Sequence, residues 1–197
     1  MPRKSITDHD EVIDRAMHLF WRRGYKKTSV EDLIKEAGVN RFNLYESFGG
    51  KHGLYLKALD KYRDEVFLTR MEKIDDQENG LVGIIEYFET LERFLIDSKG
   101  NFTCMMMNSQ IELVPKDKKV AKKVSFYFEK MEETFKKALS CAKREGMIPE
   151  DTNINDMAKF LTGSAQGMCV MSKSRNADSF LKAYTRSILK NLSQSTL

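Results

Sequence analysis

The segment from Ser29 to Phe48, SVEDLIKEAGVNRFNLYESF, constrains what this chain can fold into more tightly than any other stretch. It reads as a helix, a tight turn and a second helix. Ser29 and Asp32 have the spacing of a capping box, with Asp in place of the usual Glu. Val30, Leu33, Ile34 and Ala37 recur at helical spacing and form the stripe that must be buried. Gly38 takes a left-handed turn at little cost, and Asn40 is a good N-cap for the second helix. In that helix Leu44 and Phe48 lie one turn apart and point inward. That leaves Arg41, Phe42, Asn43, Tyr45 and Glu46 outside. A short helix exposing Arg, Asn and Tyr behind a glycine turn has the form of a DNA-reading helix-turn-helix. The plain alternative, on spacing alone, is a helical hairpin whose second helix is simply solvated.

The flanks narrow the choice. AMHLFWRRGYKKTSVEDLIKEAGVNRFNLYESFGGKHGLYLKAL resembles the N-terminal domain of TetR/AcrR-type bacterial transcriptional regulators. The likeness runs over roughly residues 8 to 60. It takes in Ala16, Leu19, Phe20, Gly24, Tyr25, Thr28, Ser29, Val30, Ala37-Gly38-Val39, Leu44-Tyr45, Phe48 and Lys51 in unbroken register. A later stretch, CMMMNSQIELVPKDKKVAKKV, is similar to the ligand-domain segment of one AcrR-like subgroup over a shorter match. The resemblance implies an all-α protein with an N-terminal three-helix head that binds double-stranded DNA. Behind it comes a helical body for ligand binding and dimerisation.

Length and composition agree. At 197 residues the chain suits one ordinary domain or two small ones sharing a core. No apolar run approaches a membrane span, and the start MPRKSITDHDEVIDR lacks the apolar core of a signal peptide. A cytoplasmic location with no membrane partner is expected. Cys104, Cys141 and Cys169 are too few and too far apart for a disulfide framework or a zinc site, so no metal and no cofactor are expected. The net charge of +4 splits evenly, with +2 in residues 1–51 and +2 in the remainder, so its size says little about DNA. Its placement says more. Arg3 and Lys4 form a basic arm, Arg22, Arg23, Lys26 and Lys27 flank the entry to the helix-turn-helix, and Arg41 and Lys51 bracket its second helix. Asp8, Asp10 and Glu11 gather at the start of the first helix, where they complement its dipole.

Every periodic segment reads as helix, about nine in all. Helix 1 runs from about Asp8 to Arg23, with Val12, Ala16 and Phe20 on one face. Helices 2 and 3 are those of the opening segment, and helix 4 runs from about Lys51 to Lys73. The polar break DDQENG from Asp75 to Gly80 comes next. Helix 5 spans about Leu81 to Asp97 and helix 6 about Thr103 to Val114, stopped by Pro115. Helix 7 is long, about Asp117 to Arg144, with an unbroken apolar rhythm. Helices 8 and 9 span about Ile154 to Ser172 and Ala177 to Leu192. The expected division is a DNA-binding domain over residues 1–50 and a ligand-binding and dimerisation domain over residues 51–197. Helix 4, residues 51–73, serves as connector.

On the resemblance, Thr28, Tyr45 and Lys51 meet phosphate, while Arg41, Phe42 and Asn43 face base edges. Chemistry is consistent with that assignment: Arg reads guanine with two bonds, Asn reads adenine, and an apolar ring covers a thymine methyl. Phe42 stands where a small residue or proline is frequent and Asn43 where Thr or Ser is usual, which leaves the operator sequence open. Glu31, near the expected groove, either accepts from cytosine or points into solvent.

For the body, the small and apolar face of helices 8 and 9 suits close helix packing. Leu161, Gly167 and Met168 with Phe180, Tyr184 and Ile188 are the expected homodimer contacts, and the resemblance places a four-helix dimer bundle here. Phe88, Met105, Met107, Phe126, Tyr127 and Met131 form an adaptable apolar wall, with Asn108 and Gln166 as polar anchors for a small-molecule effector. An ordinary Met-rich core is the plainer reading of the same residues. Cys104 at the head of helix 6 raises a rival, a thiol that senses oxidants or electrophiles. The expected function is a ligand-responsive dimeric regulator, a repressor of a palindromic operator. An activator is the runner-up, and a helical small-molecule carrier is the alternative outside DNA binding. No catalytic grouping, phosphate loop or metal cluster is present, and His9, His18 and His52 all lie in the DNA-reading region, so no enzyme is expected.

Overall fold

The computed structural model describes residues 8–75 and 80–193, and within them the chain is helical with no strand. The basic arm at Arg3 and Lys4 and the middle of the polar break lie outside the described residues. Nine helices occur in chain order among the described residues if two that run into a π-helical turn are each counted once with it. They are α1 (His9–Arg23), α2 (30–37), α3 (Arg41–Glu46), α4 (50–75), α5 (Gly80–Asp97), α6 (Met105–Glu112), α7 (Lys118–Arg144), α8 (Ile154–Met171) and α9 (Ala177–Ser193). The π turns cover Leu33–Ala37 of α2 and Arg63–Leu68 of α4.

The helix ends lie where side-chain chemistry puts them. The Asp8 side chain accepts the Asp10 N–H to cap α1, and Arg22 and Arg23 sit in its last turn. Ser29 and Asp32 make the expected capping box: Ser29 Oγ accepts the Asp32 N–H at 3.0 Å, and Asp32 Oδ2 accepts the Ser29 N–H at 2.8 Å. Gly38 ends α2 at φ 77, a left-handed conformation that costs glycine no Cβ clash. Asn40 Oδ1 then accepts the Asn43 N–H at 2.7 Å and starts α3. Of the predicted α2 stripe, Leu33 and Ala37 are fully buried and Val30 and Ile34 half-buried. The wide turn at Leu33–Ala37 shifts the register that an ideal helix would keep.

The helices group into two compact units. The first holds residues 8–67 and 104–125, so it contains α1 to α3, most of α4, α6 and the first turns of α7. Its core is aromatic: Phe20 meets Tyr55 edge-on at 4.8 Å, Trp21 meets Tyr62 edge-on at 5.0 Å, and Tyr25 lies 4.7 Å from Tyr55. This unit extends past residue 50: α4, which begins there, belongs to it as far as Phe67, and α6 packs on α4. The second unit holds the last turns of α4 and α5, most of α7, and α8 and α9. Phe88 of α5 stacks on Phe135 of α7 at 5.9 Å, and Tyr87 stands edge-on to both. Here α5 packs against α8 and α9 and the end of α4, and α8 pairs with α9.

Candidate nucleic-acid interface

The first unit presents α3 as an outward face. Leu44 is fully buried and anchors the helix, while Phe42 is 73% and Tyr45 55% exposed. Arg41 is exposed and Asn43 half-buried. Large rings left in water lose the gain of burial, so their exposure points to an external partner.

The cations around this face are mostly engaged. Arg22 pairs with Glu36 at 2.9 Å, and Arg23 with Asp32 at 3.0 Å and Glu36 at 2.7 Å. These arginines pin α1 to α2 instead of standing free at the entry. Arg41 Nη2 donates to Glu31 Oε1 at 2.7 Å, so Glu31 neither points idly into solvent nor stands alone beside the groove. That bond, with one from the Glu31 backbone, holds the Glu31 carboxyl below the usual carboxylate range. Lys51 lies at the start of α4 with its Nζ 4.2 Å from the centre of the Tyr25 ring. Burial lowers the Lys51 ammonium from the usual lysine value, while Glu112 and Asp32 pull the other way. Tyr25 is raised by burial and by Asp117.

Thr28 departs from expectation. It is fully buried and its Oγ1 donates to the Gly24 carbonyl at 2.8 Å. The hydroxyl therefore closes the turn between α1 and α2 and is not presented to phosphate. The same turn is gripped from α6, an arrangement that sequence reasoning missed. Glu112 accepts the Lys26 N–H at 2.9 Å, and its carboxylate lies where a Cβ on Gly24 would be. Nearby, Tyr55 bonds Ser109 at 2.7 Å, His52 meets Asp117, and Lys123 meets Asp60. Contacts across 54 to 86 residues leave no periodic trace in a sequence.

The predicted effector residues do not gather in one unit. Met105, Met107 and Asn108 belong to the first, and Phe88, Tyr127, Met131 and Gln166 to the second. Phe126 is 47% exposed, because the buried stripe of α7 runs through Val124, Tyr127 and Met131 and Phe126 falls off it. Phe88, Met105, Met107, Tyr127 and Met131 are buried, while Asn108 and Gln166 are half-buried. The second unit does contain a cavity of about 150 Å³ between the end of α4 and α5. Ile74, Gly83, Tyr87 and Leu91 line it, with Arg70, Lys73, Glu86 and Thr90 as its polar lining. Cys104 is buried and caps α6, its Sγ accepting the Met107 N–H at 3.5 Å.

The predicted dimer residues also divide. Leu161, Met168 and Ile188 are fully buried within the protomer, on the inner sides of α8 and α9, which pack on each other and on α5. The outer face of α8 instead carries Phe160, Gly163, Gly167 and Val170, with Phe160 39% and Val170 49% exposed. On α9, Phe180 and Tyr184 are half-buried and stacked at 5.2 Å. Among the described residues no helix is long and apolar enough to cross a membrane, and no group of three His, Cys, Asp or Glu could hold a metal.

A family model described as bacterial regulatory proteins, tetR family, matches residues 12–58, and one described as tetracyclin repressor-like, C-terminal domain, matches residues 80–188. The chain belongs to the TetR family and is a DNA-binding transcriptional regulator, not an enzyme. The HTH-type transcriptional repressor ComR of Escherichia coli (strain K12) is 27% identical over 172 residues, which span 87% of this chain and 82% of ComR. The uncharacterized regulator YezE of Bacillus subtilis (strain 168) is 29% identical over 174 residues, 88% of this chain and 90% of YezE. Among solved structures, a cysteine mutant of the TetR family regulator CifR, complexed with 26-bp double-strand operator DNA, matches with a TM-score of 0.81. That match is at 26% identity and covers 98% of this chain and 99% of CifR.

Proposed function

We propose that this regulator is a dimeric, cytoplasmic repressor that binds a palindromic operator through α3 and leaves it when a small, mostly apolar molecule binds the body. The observation that carries the reading is the α3 face, where Phe42 and Tyr45 stay exposed beside Arg41, with Lys51 one turn beyond. Arg41, Phe42 and Asn43 read base edges, and Tyr45 and Lys51 hold phosphate. ComR, a repressor by name, and CifR, solved on operator DNA, support the sign and the partner. Two heads must be spaced by about one helical turn of DNA, so the reader is a dimer. The exposed face of Phe160, Gly163, Gly167 and Val170, with Phe180 and Tyr184, is the dimer surface.

The effector occupies the α4–α5 cavity, whose volume of about 150 Å³ suits a single aromatic ring. Arg70 and Lys73 give the polar contacts there, a role the sequence reading assigned to Asn108 and Gln166. The test is selection from a randomised duplex pool, then a mobility shift with the promoter beside the protein's own gene and a screen of small aromatic compounds for release. A wild type that enriches no sequence, or that light scattering finds monomeric at micromolar concentration, overturns the proposal.

A further inference from the structure

We propose that Glu31 sets sequence specificity by holding Arg41 in an ion pair that a base edge can share and a phosphate cannot. The inference rests on the reading of α3 as the base-facing helix. All five arginines described between residues 8 and 67 are ion-paired: Arg15 with Glu11, Arg22 with Glu36, Arg23 with Asp32 and Glu36, Arg41 with Glu31, and Arg63 with Asp60 and Asp64. Arg15 and Arg63 pair within their own helices, and Arg22 and Arg23 pin α1 to α2. Arg41 joins α3 to α2 and does so on the reading face, with the Arg41 side chain 58% and the Glu31 side chain 73% exposed.

Glu31 leaves the first turn of α2, which the Ser29–Asp32 capping box fixes, so its carboxylate springs from a rigid point. Arg41 is the first residue of α3, whose start is fixed by the Asn40 side chain accepting the Asn43 N–H. Among the described residues Arg41 is engaged through Nη2, and the guanidinium fork has further N–H groups that can serve a second acceptor. A guanine edge offers two neutral acceptors, O6 and N7, and these can bind that fork while Glu31 keeps its hold. A phosphate brings a negative charge to the same fork and so faces the Glu31 carboxylate directly. It must either break the pair or tolerate the repulsion. An exposed pair is weak enough to yield to DNA yet is populated enough to bias the choice. Glu31 thus penalises the contacts that make binding unspecific and leaves the contact that reads sequence.

The test compares wild type and Glu31→Gln, which keeps size and shape but loses the charge. The probes are the duplex that wild type selects from a randomised pool and a shuffled duplex of the same composition. The expected result is about fivefold tighter binding of Glu31→Gln to the shuffled duplex, with the selected duplex changed by less than about twofold. The slope of log affinity against log salt on the shuffled duplex should steepen by about 0.9, one further phosphate contact. In an Arg41→Ala background the same substitution should leave the ratio of the two affinities unchanged. Equal gains on both duplexes, or a change of ratio that persists without Arg41, overturn the proposal. So does a loss confined to duplexes with cytosine at one position, which would make Glu31 a direct reader. If wild type itself enriches no sequence, the failure lies with the reading of α3 and not with Glu31.

Discussion

The Tyr55–Ser109 bond joins α4 to α6 deep in the first unit, and its direction can be deduced. Ser109 Oγ lies 2.7 Å from the Met105 carbonyl and 2.7 Å from Tyr55 Oη, and both residues are buried. A serine hydroxyl has one proton, and the carbonyl can only accept it. Tyr55 therefore donates to Ser109, and burial pushes its phenol far above the usual tyrosine value. Removing the two partners then has unequal costs. Tyr55→Phe deletes the donor and leaves Ser109 still bonded to Met105, a loss of about 1 kcal/mol. Ser109→Ala strands a buried O–H, which costs about 1–3 kcal/mol, offset by about 0.5 kcal/mol of helix propensity. In the Tyr55→Phe background, Ser109→Ala has nothing left to strand. The double variant should be at least as stable as Ser109→Ala alone, with a coupling of about 1 kcal/mol or more. Urea unfolding at one fixed protomer concentration measures all four members of the cycle, since assembly would shift the midpoint with concentration. Strictly additive losses would refute both the donor assignment and the bond's place in the joint.

Further outcomes concern other parts of the molecule. Tyr45→Ala and Lys51→Ala should weaken all duplexes about equally, whereas Arg41→Ala should also relax preference at one base position by roughly 1–3 kcal/mol, as read by competition binding. Gly167→Asp with Tyr184→Glu should yield monomers by light scattering and abolish operator binding, while the circular dichroism spectrum stays helical. Among the described residues the buried Thr185 hydroxyl has no hydrogen-bond partner, so Thr185→Val should raise stability by up to about 1 kcal/mol, seen as a higher Tm. Burial opposes ionisation of Asp117, but the Val120 N–H and His52 outweigh it and depress the carboxyl. The stability it adds is present above the usual carboxylate range and is lost as pH falls through that depressed value, so Asp117→Asn should flatten the acid limb of the unfolding profile.

What the sequence made legible was local. Caps, glycine turns and apolar spacing act within one or two turns of helix, so Ser29, Gly38, Asn40 and Leu44 stand where their types require. The exposure of Phe42 and Tyr45 follows from the same spacing. Thr28 misled because the resemblance carries over a position and not the partner its side chain takes, and here the hydroxyl closes on the Gly24 carbonyl. Leu161, Met168 and Ile188 misled because an apolar side chain at helical spacing does not say which of two neighbours covers it. Glu112, which grips the Lys26 N–H, carries no periodic signal at all.

The joint around α4 has a size that fits regulation. It consists of Tyr55–Ser109, Glu112 to the Lys26 N–H, His52–Asp117 and Lys123–Asp60, and all four tie α4 or the α1–α2 turn to α6 and the start of α7. One is buried and the others are half-buried or exposed, so each contributes on the order of 1 kcal/mol or less. A coupling of roughly 1–3 kcal/mol between effector and operator therefore equals one to three of these contacts, not the whole head. Two helices, α4 and α7, run without a break from one compact unit into the other, and α4 does so through its π turn at Arg63–Leu68. Such a turn interrupts the regular hydrogen-bond ladder of a helix, and bends in helices concentrate at turns of this kind. On the function proposed above, an effector that favours one setting of α4 needs only to exchange a few marginal polar contacts at Tyr55, His52 and Asp60. The aromatic core of Phe20, Trp21 and Tyr62 can keep the reading head intact in both states.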